Sequence, residues 1–157
     1  MVNAPDKQTD TTWQTLEEEA PGIASFGQKR LDGKVAYLAT VREDGKPRVH
    51  PVTPIIGEGH CFIFVDPDSP KVRDLSENGF YCLHCAMNDS SGSSGEFQVT
   101  GIADQIDHVD MRQLAVSVSS YRPSARYLLF ELRLLEVLAI SYRGGRPDRS
   151  RWSARLR

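Results

Sequence analysis

Long apolar runs are missing from this sequence: nowhere do about eighteen apolar residues follow one another, the length a helix needs to cross a bilayer. Met1 to Asp10 is polar and holds no apolar signal core, so neither membrane insertion nor secretion is expected and the protein reads as cytoplasmic. Disulfide chemistry is poorly supplied too. Cys61, Cys82 and Cys85 are an odd set of thiols, expected to stay reduced. No charge of one sign dominates: 19 Lys and Arg stand against 21 Asp and Glu, a formal net charge of −2. That balance gives no global attraction to nucleic acid or to an anionic membrane, and neither partner is expected. No glycine-rich phosphate loop, Ser/His/Asp pattern or paired-carboxylate signature stands out, which leaves kinase and hydrolase readings without specific support. No segment repeats.

What is present is apolar material for one core, since 39% of the 157 residues are hydrophobic, enough for a domain that needs no disulfide or metal. A single domain over residues 1–157 is expected, with a helical segment at 1–33 and a basic tail at 142–157. Thr11-Thr12-Trp13-Gln14 fits a capping box, and Glu17 to Glu19 suits the positive end of a helix, so one begins near Thr12. Pro21-Gly22 interrupts it, and a second piece ends at Asp32-Gly33, where glycine can take the left-handed conformation that closes a helix.

From Val35 the period changes to two, with Val35, Tyr37, Ala39 and Val41 on one face of a strand. Asp44-Gly45 favours a hairpin turn into a second strand from Arg48 to Ile56, and Gly57-Glu58-Gly59 turns the chain into a third at Cys61 to Val65, giving a meander. Pro67 and Pro70 then lead into a short helix that stops at Asn78-Gly79. Phe80 to Met87 reads as a strand, Asn88 to Gly95 as a flexible loop, and Phe97 to Ile102 as a strand bent at Gly101. A helix capped by Asp107 follows and ends at Tyr121-Arg122-Pro123. Residues 126–141 fit either period; the alternation of Leu128, Phe130, Leu132 and Leu134 favours a strand. Six strands with short helices predict a mainly β protein, an antiparallel barrel closed or nearly closed, because closure removes exposed sheet edges.

Two clusters invite chemistry of their own. Cys82-Leu83-His84-Cys85 is formally a C-x-x-C, and with His60 and Cys61 it suggests zinc or a redox pair. Residues three apart on a strand face opposite sides, and a redox motif of this kind needs a helix N-terminus, so no metal is expected. From Tyr142 onward six arginines, Arg143, Arg146, Arg149, Arg151, Arg155 and Arg157, meet one acid, Asp148. They form either a solvated, mobile tail or a surface for phosphate or a partner.

Ala39-Thr40-Val41, Asp44-Gly45-Lys46-Pro47, Arg48-Val49-His50-Pro51-Val52, Phe62 to Val65, Ser69-Pro70-Lys71 and Phe97-Gln98-Val99-Thr100-Gly101 follow one another in an order that resembles the flavin-binding split barrel of the pyridoxamine 5'-phosphate oxidase-like family. The resemblance spans about Val35 to Asp107. It implies a six-stranded split barrel working as a homodimer, with FMN held in grooves between subunits and a small-molecule substrate oxidised or reduced by hydride transfer. A deazaflavin or haem on the same fold is the alternative cofactor, with His50, His60, His84 and His108 as candidate haem ligands, and a non-catalytic binding protein is the alternative role. Ser69 and Lys71 match the family's phosphate-gripping serine and lysine, at a helix start whose free N–H groups favour an anion. Arg73 would add a cation. His50 falls where the oxidase carries an arginine aimed at the phosphate, and Arg48 lies two residues earlier on the same face. Val49, Pro51 and Val52 would meet the ring edge, Phe64 and Val65 would line the groove, and Glu96 and Gln98 would reach the flavin across the dimer. Trp152 resembles the aromatic residue that packs beside the cofactor near the family's C-terminus. Pro70 and Ile55 replace an arginine and a lysine of the oxidase, and the C-terminal arginines do not reproduce its substrate segment, so oxidation of a B6 vitamer is not expected. No catalytic acid or base is assigned, because a flavin reductase needs chiefly to hold its donor near the ring.

Overall fold

The structure, a computed structural model, describes residues 9–155; residues 1–8 and, in the basic tail, 156–157 lie outside the described residues. Two short helices come first, α1 at Trp13–Glu19 and α2 at Pro21–Leu31. Pro21 sits at the first position of α2, where its missing N–H costs no intrahelical bond. The expected capping box does not form: Thr12 rather than Thr11 precedes the helix and makes no side-chain cap, while the Gln14 amide donates to Glu18 at 3.0 Å. Trp13 and Leu16 are wholly buried and fix α1 against the sheet.

The remaining elements run β1 (Ala36–Val41), β2 (Pro47–Val52), β3 (Ile55–Gly57), β4 (His60–Val65), α3 (Pro70–Glu77), β5 (Phe80–Cys85), β6 (Glu96–Ile106), α4 (Val109–Val118), β7 (Leu128–Arg143) and β8 (Arg146–Ser153). All pairings are antiparallel, in the order β2-β1-β5-β6-β7-β4-β3, with β8 on the far half of β7. The Asp44-Gly45 hairpin forms as expected: Val41 faces Pro47, Ala36 faces Val52, and Gly45 takes φ +83°. The strand reading of residues 126–141 also holds, in β7. Gly101 marks the bend, at a register shift where an added Cβ would lie 1.8 Å from the Arg133 carbonyl oxygen.

Three expectations are corrected. Among the described residues there are eight strands rather than six, and the sheet does not close, since its end strands β2 and β3 are not paired. The run from Arg48 to Ile56 breaks at Thr53-Pro54, because the Pro54 carbonyl accepts the Gly33 N–H at 2.9 Å and proline has no N–H to offer a ladder. The Gly57-Glu58-Gly59 turn joins β3 to β4 as expected, but β4 pairs with β3 and β7 and not with β2, so the expected meander is broken at Thr53-Pro54. The described part of the basic tail is a strand, β8, pinned by buried Trp152 and by the Ala154 N–H on the Leu135 carbonyl at 2.8 Å. A smaller correction concerns α4, which His108 precedes, while Asp107 accepts from Gln105 instead.

The main core lies on one face of the sheet, where Leu38, Leu83, Phe97 and Leu132 are fully buried in one cluster with Trp13 and Leu16 of α1 and Leu31 of α2. A second cluster of Ile55, Phe62, Phe64, Ala115 and Leu129 lies under α4 and stiffens the ends of β3 and β4. Among the described residues no helix is long and apolar enough to cross a membrane.

Candidate functional site

Because β2 and β3 part at Thr53-Pro54, the end of β2 faces outward beside the end of β4, and a cleft of about 490 Å³ opens between them. Pro51, Val52 and Thr53 at the end of β2, Phe64, Val65 and Asp66 at the end of β4, and Lys71 of α3 line it. A further wall is the segment between α4 and β7, contributing Tyr121, Arg122, Pro123, Ser124 and Tyr127. Pro51, Val52, Phe64, Val65 and Lys71, each proposed from the sequence as a site residue, are thus brought together. Sequence reasoning missed the further wall, reading Tyr121-Arg122-Pro123 as a helix stop and nothing more.

That wall is fastened on both sides. The Tyr121 hydroxyl donates to the Thr53 carbonyl at 2.9 Å, while Arg112 of α4 donates to the carbonyls of Tyr127 at 2.7 Å and Ala125 at 3.0 Å. The Arg112 guanidinium also lies 5.1 Å from the Phe64 ring centroid, a cation–π distance. Burial and nearby Asp32 push the Tyr121 phenol up to about 12, so it stays a donor.

The cations around the cleft divide into two groups. Arg48 donates to buried Asp74 at 2.9 Å, Arg73 to Glu43 at 2.9 Å and Glu77 at 3.0 Å, and Arg126 to Asp68 at 3.0 Å. Arg48 and Arg73 border a separate shallow recess of about 290 Å³ with Glu43, Asp74 and Glu77, so neither lines the main cleft. Lys71 and Arg122, by contrast, form no ion pair among the described residues. Burial pulls the Lys71 amine below its ordinary value, and Asp66 opposes the shift. Ser69 precedes α3 without making a side-chain cap, so its hydroxyl is not engaged by the helix.

His50 on β2 lies opposite Leu38 of β1, and its Nε2 is buried with no hydrogen-bond partner among the described residues. Burial, then the charges of Lys71 and Arg48, hold its pKa below 6.5, with Asp74 opposing. Both burial and the neighbouring cations favour the neutral imidazole here.

The other expected site residues lie elsewhere. Val49 points away from the core, opposite Ala39, and is 62% exposed. It shares the face turned away from the main core with Tyr37 and Phe80, also exposed, and with Glu96 and Gln98, which stand on β6 where His84 approaches Glu96 at 3.4 Å. Trp152 does not project toward the cleft: it joins the main core, and its indole N–H donates to Glu19 at 3.3 Å. The C-x-x-C lies on β5, with Cys85 in the core and Cys82 half-buried on the other face.

No protein-family model matches the sequence, and no curated protein matches it. Among solved structures, a haem-binding protein from Mycobacterium smegmatis superposes with a TM-score of 0.60 at 20% identity, over 76% of this chain and 53% of that one. The chain thus spans about half the length of that protein. An F420 reductase gives 0.54 at 17% identity over 70% of this chain and 94% of its own. A pyridoxine-phosphate-oxidase-family protein from Clostridium acetobutylicum, related to a general stress protein, gives 0.56 at 12% identity over 87% and 94%. With its antiparallel sheet left open between β2 and β3 and superposing on these proteins, the chain has the split β-barrel fold of the pyridoxamine-phosphate-oxidase-like proteins.

Proposed function

We propose that the protein is a homodimeric FMN-binding oxidoreductase that transfers hydride between a small substrate and the flavin. The observation that carries this reading is the cleft itself, lined by apolar Val52, Phe64 and Val65 and by Lys71, which forms no ion pair among the described residues; His50, outside the lining, feels the charge of that lysine and has a partnerless Nε2. FMN needs a cationic end for its phosphate, donors for its ribityl chain and a flat apolar slot, and the residues present fit those needs. Lys71, His50 and the Ser69 hydroxyl would hold the phosphate, and Pro51, Val52 and Thr53 would meet the ring edge. When bound, FMN supplies a two-electron hydride acceptor. The protein's share is to hold the ring, to keep water from its buried edge and to leave the other face open to a donor.

The second copy in this proposal covers the face of the sheet turned away from the main core. Val49, Tyr37 and Phe80 leave 62%, 47% and 37% of their surfaces exposed on that face of β2, β1 and β5. Exposed apolar residues spread over one sheet face suit an interaction surface. Glu96 and Gln98 lie on the same face and would approach the partner's cleft. A cytoplasmic site of action accords with the reading.

A deazaflavin is the nearest variant, and a haem-binding protein is the second reading, favoured by the same His50 nitrogen as an axial ligand. The absorption spectrum of the purified protein separates them: bands near about 375 and 450 nm indicate flavin, a Soret band haem, and a single shorter-wavelength band a deazaflavin. If FMN is held as described, its affinity rises as the pH falls through the His50 titration, because the phosphate favours imidazolium, and His50→Gln flattens that dependence. A colourless protein that takes up no added FMN overturns the proposal.

A further inference from the structure

We infer that Arg122, on the wall between α4 and β7, is a second anion contact of the cleft and sets its preference for a ligand that carries a phosphate. The inference rests on the flavin reading above and names a residue that reading does not use. Three observations carry it. Arg122 lines the same cleft as Lys71 and the ends of β2 and β4. The arginines at or near this end of the molecule are otherwise engaged: Arg48 by Asp74, Arg73 by Glu43 and Glu77, Arg126 by Asp66 and Asp68, and Arg112 by backbone carbonyls. Arg122 has no carboxylate partner among the described residues, so its charge is available.

Its backbone is not free to wander either. Just before it, the Tyr121 N–H donates to the Ser119 hydroxyl oxygen at 3.1 Å and the Tyr121 hydroxyl donates to Thr53; just after it, Pro123 fixes φ and Arg112 grips the carbonyls of Ser124, Ala125 and Tyr127. An exposed arginine on an ordinary loop loses entropy when it orders around a ligand. Here the main chain is already held, so less is lost on binding. A guanidinium also offers a planar fork that suits phosphate oxygens, which the point charge of Lys71 does not. Two cations, one from α3 and one from this wall, would then act on the same phosphate.

The test compares FMN with riboflavin, which has the same ring and no phosphate, by fluorescence titration of the intact protein. In the wild type FMN binds more tightly than riboflavin. Arg122→Gln is expected to weaken FMN at least about tenfold, the size of one charge-assisted hydrogen bond, and to leave riboflavin unchanged. Arg122→Lys should restore part of the difference. Because Arg122 is exposed, the melting temperature should not move, which separates lost contact from lost fold. Unchanged FMN affinity in Arg122→Gln, or equal losses for FMN and riboflavin, overturns the inference while leaving the flavin reading intact. A wild-type protein that binds neither compound removes the flavin reading and the inference with it.

Discussion

Asp74 offers the sharpest energetic test, because one buried carboxylate ties three elements together. It sits on α3, is 5% exposed, and accepts from the Thr40 hydroxyl of β1 at 2.7 Å and from the Arg48 Nε of β2 at 2.9 Å. Removing it as Asp74→Ala leaves Thr40, itself 1% exposed, with a buried hydroxyl that water cannot reach. Such an orphan costs about 1–3 kcal/mol. The bond to Arg48 belongs to the charge-assisted class, but the Arg48 side chain is 30% exposed and water replaces part of it. About 1.5 kcal/mol is then a fair share for that bond. The sum is about 3 kcal/mol, or a fall in melting temperature of about 6–12 °C at the 2–4 °C per kcal/mol usual for a chain of this size. Urea denaturation, with a slope unchanged from wild type, gives the free energy directly. Asp74→Asn keeps an acceptor for Thr40 and should lose about half as much. The combination Thr40→Val with Asp74→Ala removes the stranded hydroxyl and should be more stable than Asp74→Ala alone. A loss below about 1 kcal/mol for Asp74→Ala, or a double variant no better than the single one, would refute the reasoning.

The remaining predictions concern the sheet. Gly101→Ala places a Cβ 1.8 Å from the Arg133 carbonyl oxygen and 3.0 Å from the Tyr81 hydroxyl. Neither neighbour can give way without breaking the β6–β7 ladder or the Tyr81–Arg133 bond at 2.8 Å, so a loss of about 2–3 kcal/mol in denaturant unfolding is expected. His84 is raised from 6.5 to about 9 by its contact with the Cys85 side chain, against burial, with help from the Cys85 carbonyl and Glu96. Its folded pKa lies above the unfolded one, so its contribution is complete below pH 6.5 and is lost as the pH rises through about 9. Melting temperatures between pH 7 and 10 should fall less steeply in His84→Gln than in the wild type, and parallel curves would count against the assignment.

How much was legible beforehand follows from which interactions are local. Alternation of apolar residues indicated β1 and β7, the Gly57-Glu58-Gly59 turn before an apolar run indicated β4, and the Asp44-Gly45 dipeptide indicated the β1–β2 hairpin, because side-chain period and turn chemistry act over a few residues. Gly101 announced a bend for the same local reason. The strand in the arginine-rich tail was not legible, since its pattern is polar on both faces except at Trp152, and only the exposed ladder of β7 recruits it. Nor could spacing reveal that Thr53-Pro54 would hydrogen-bond to Tyr121 and Gly33 and so leave the sheet open.

The site shows the same division. The sequence by itself determined which residue types were on hand, Ser69-Pro70-Lys71 opening α3 and His50 on β2, and hence that an anion could be received there. Only the tertiary structure decided which cations are spent on carboxylates and which are not, because Arg48 meets Asp74 26 residues away and Arg73 meets Glu43 30 residues away. It also decided that the segment after α4 would form the further wall, through the grip of Arg112 and the Tyr121 hydroxyl. Pairing of charges and closure of a cleft depend on distances through space, which one-dimensional spacing does not encode.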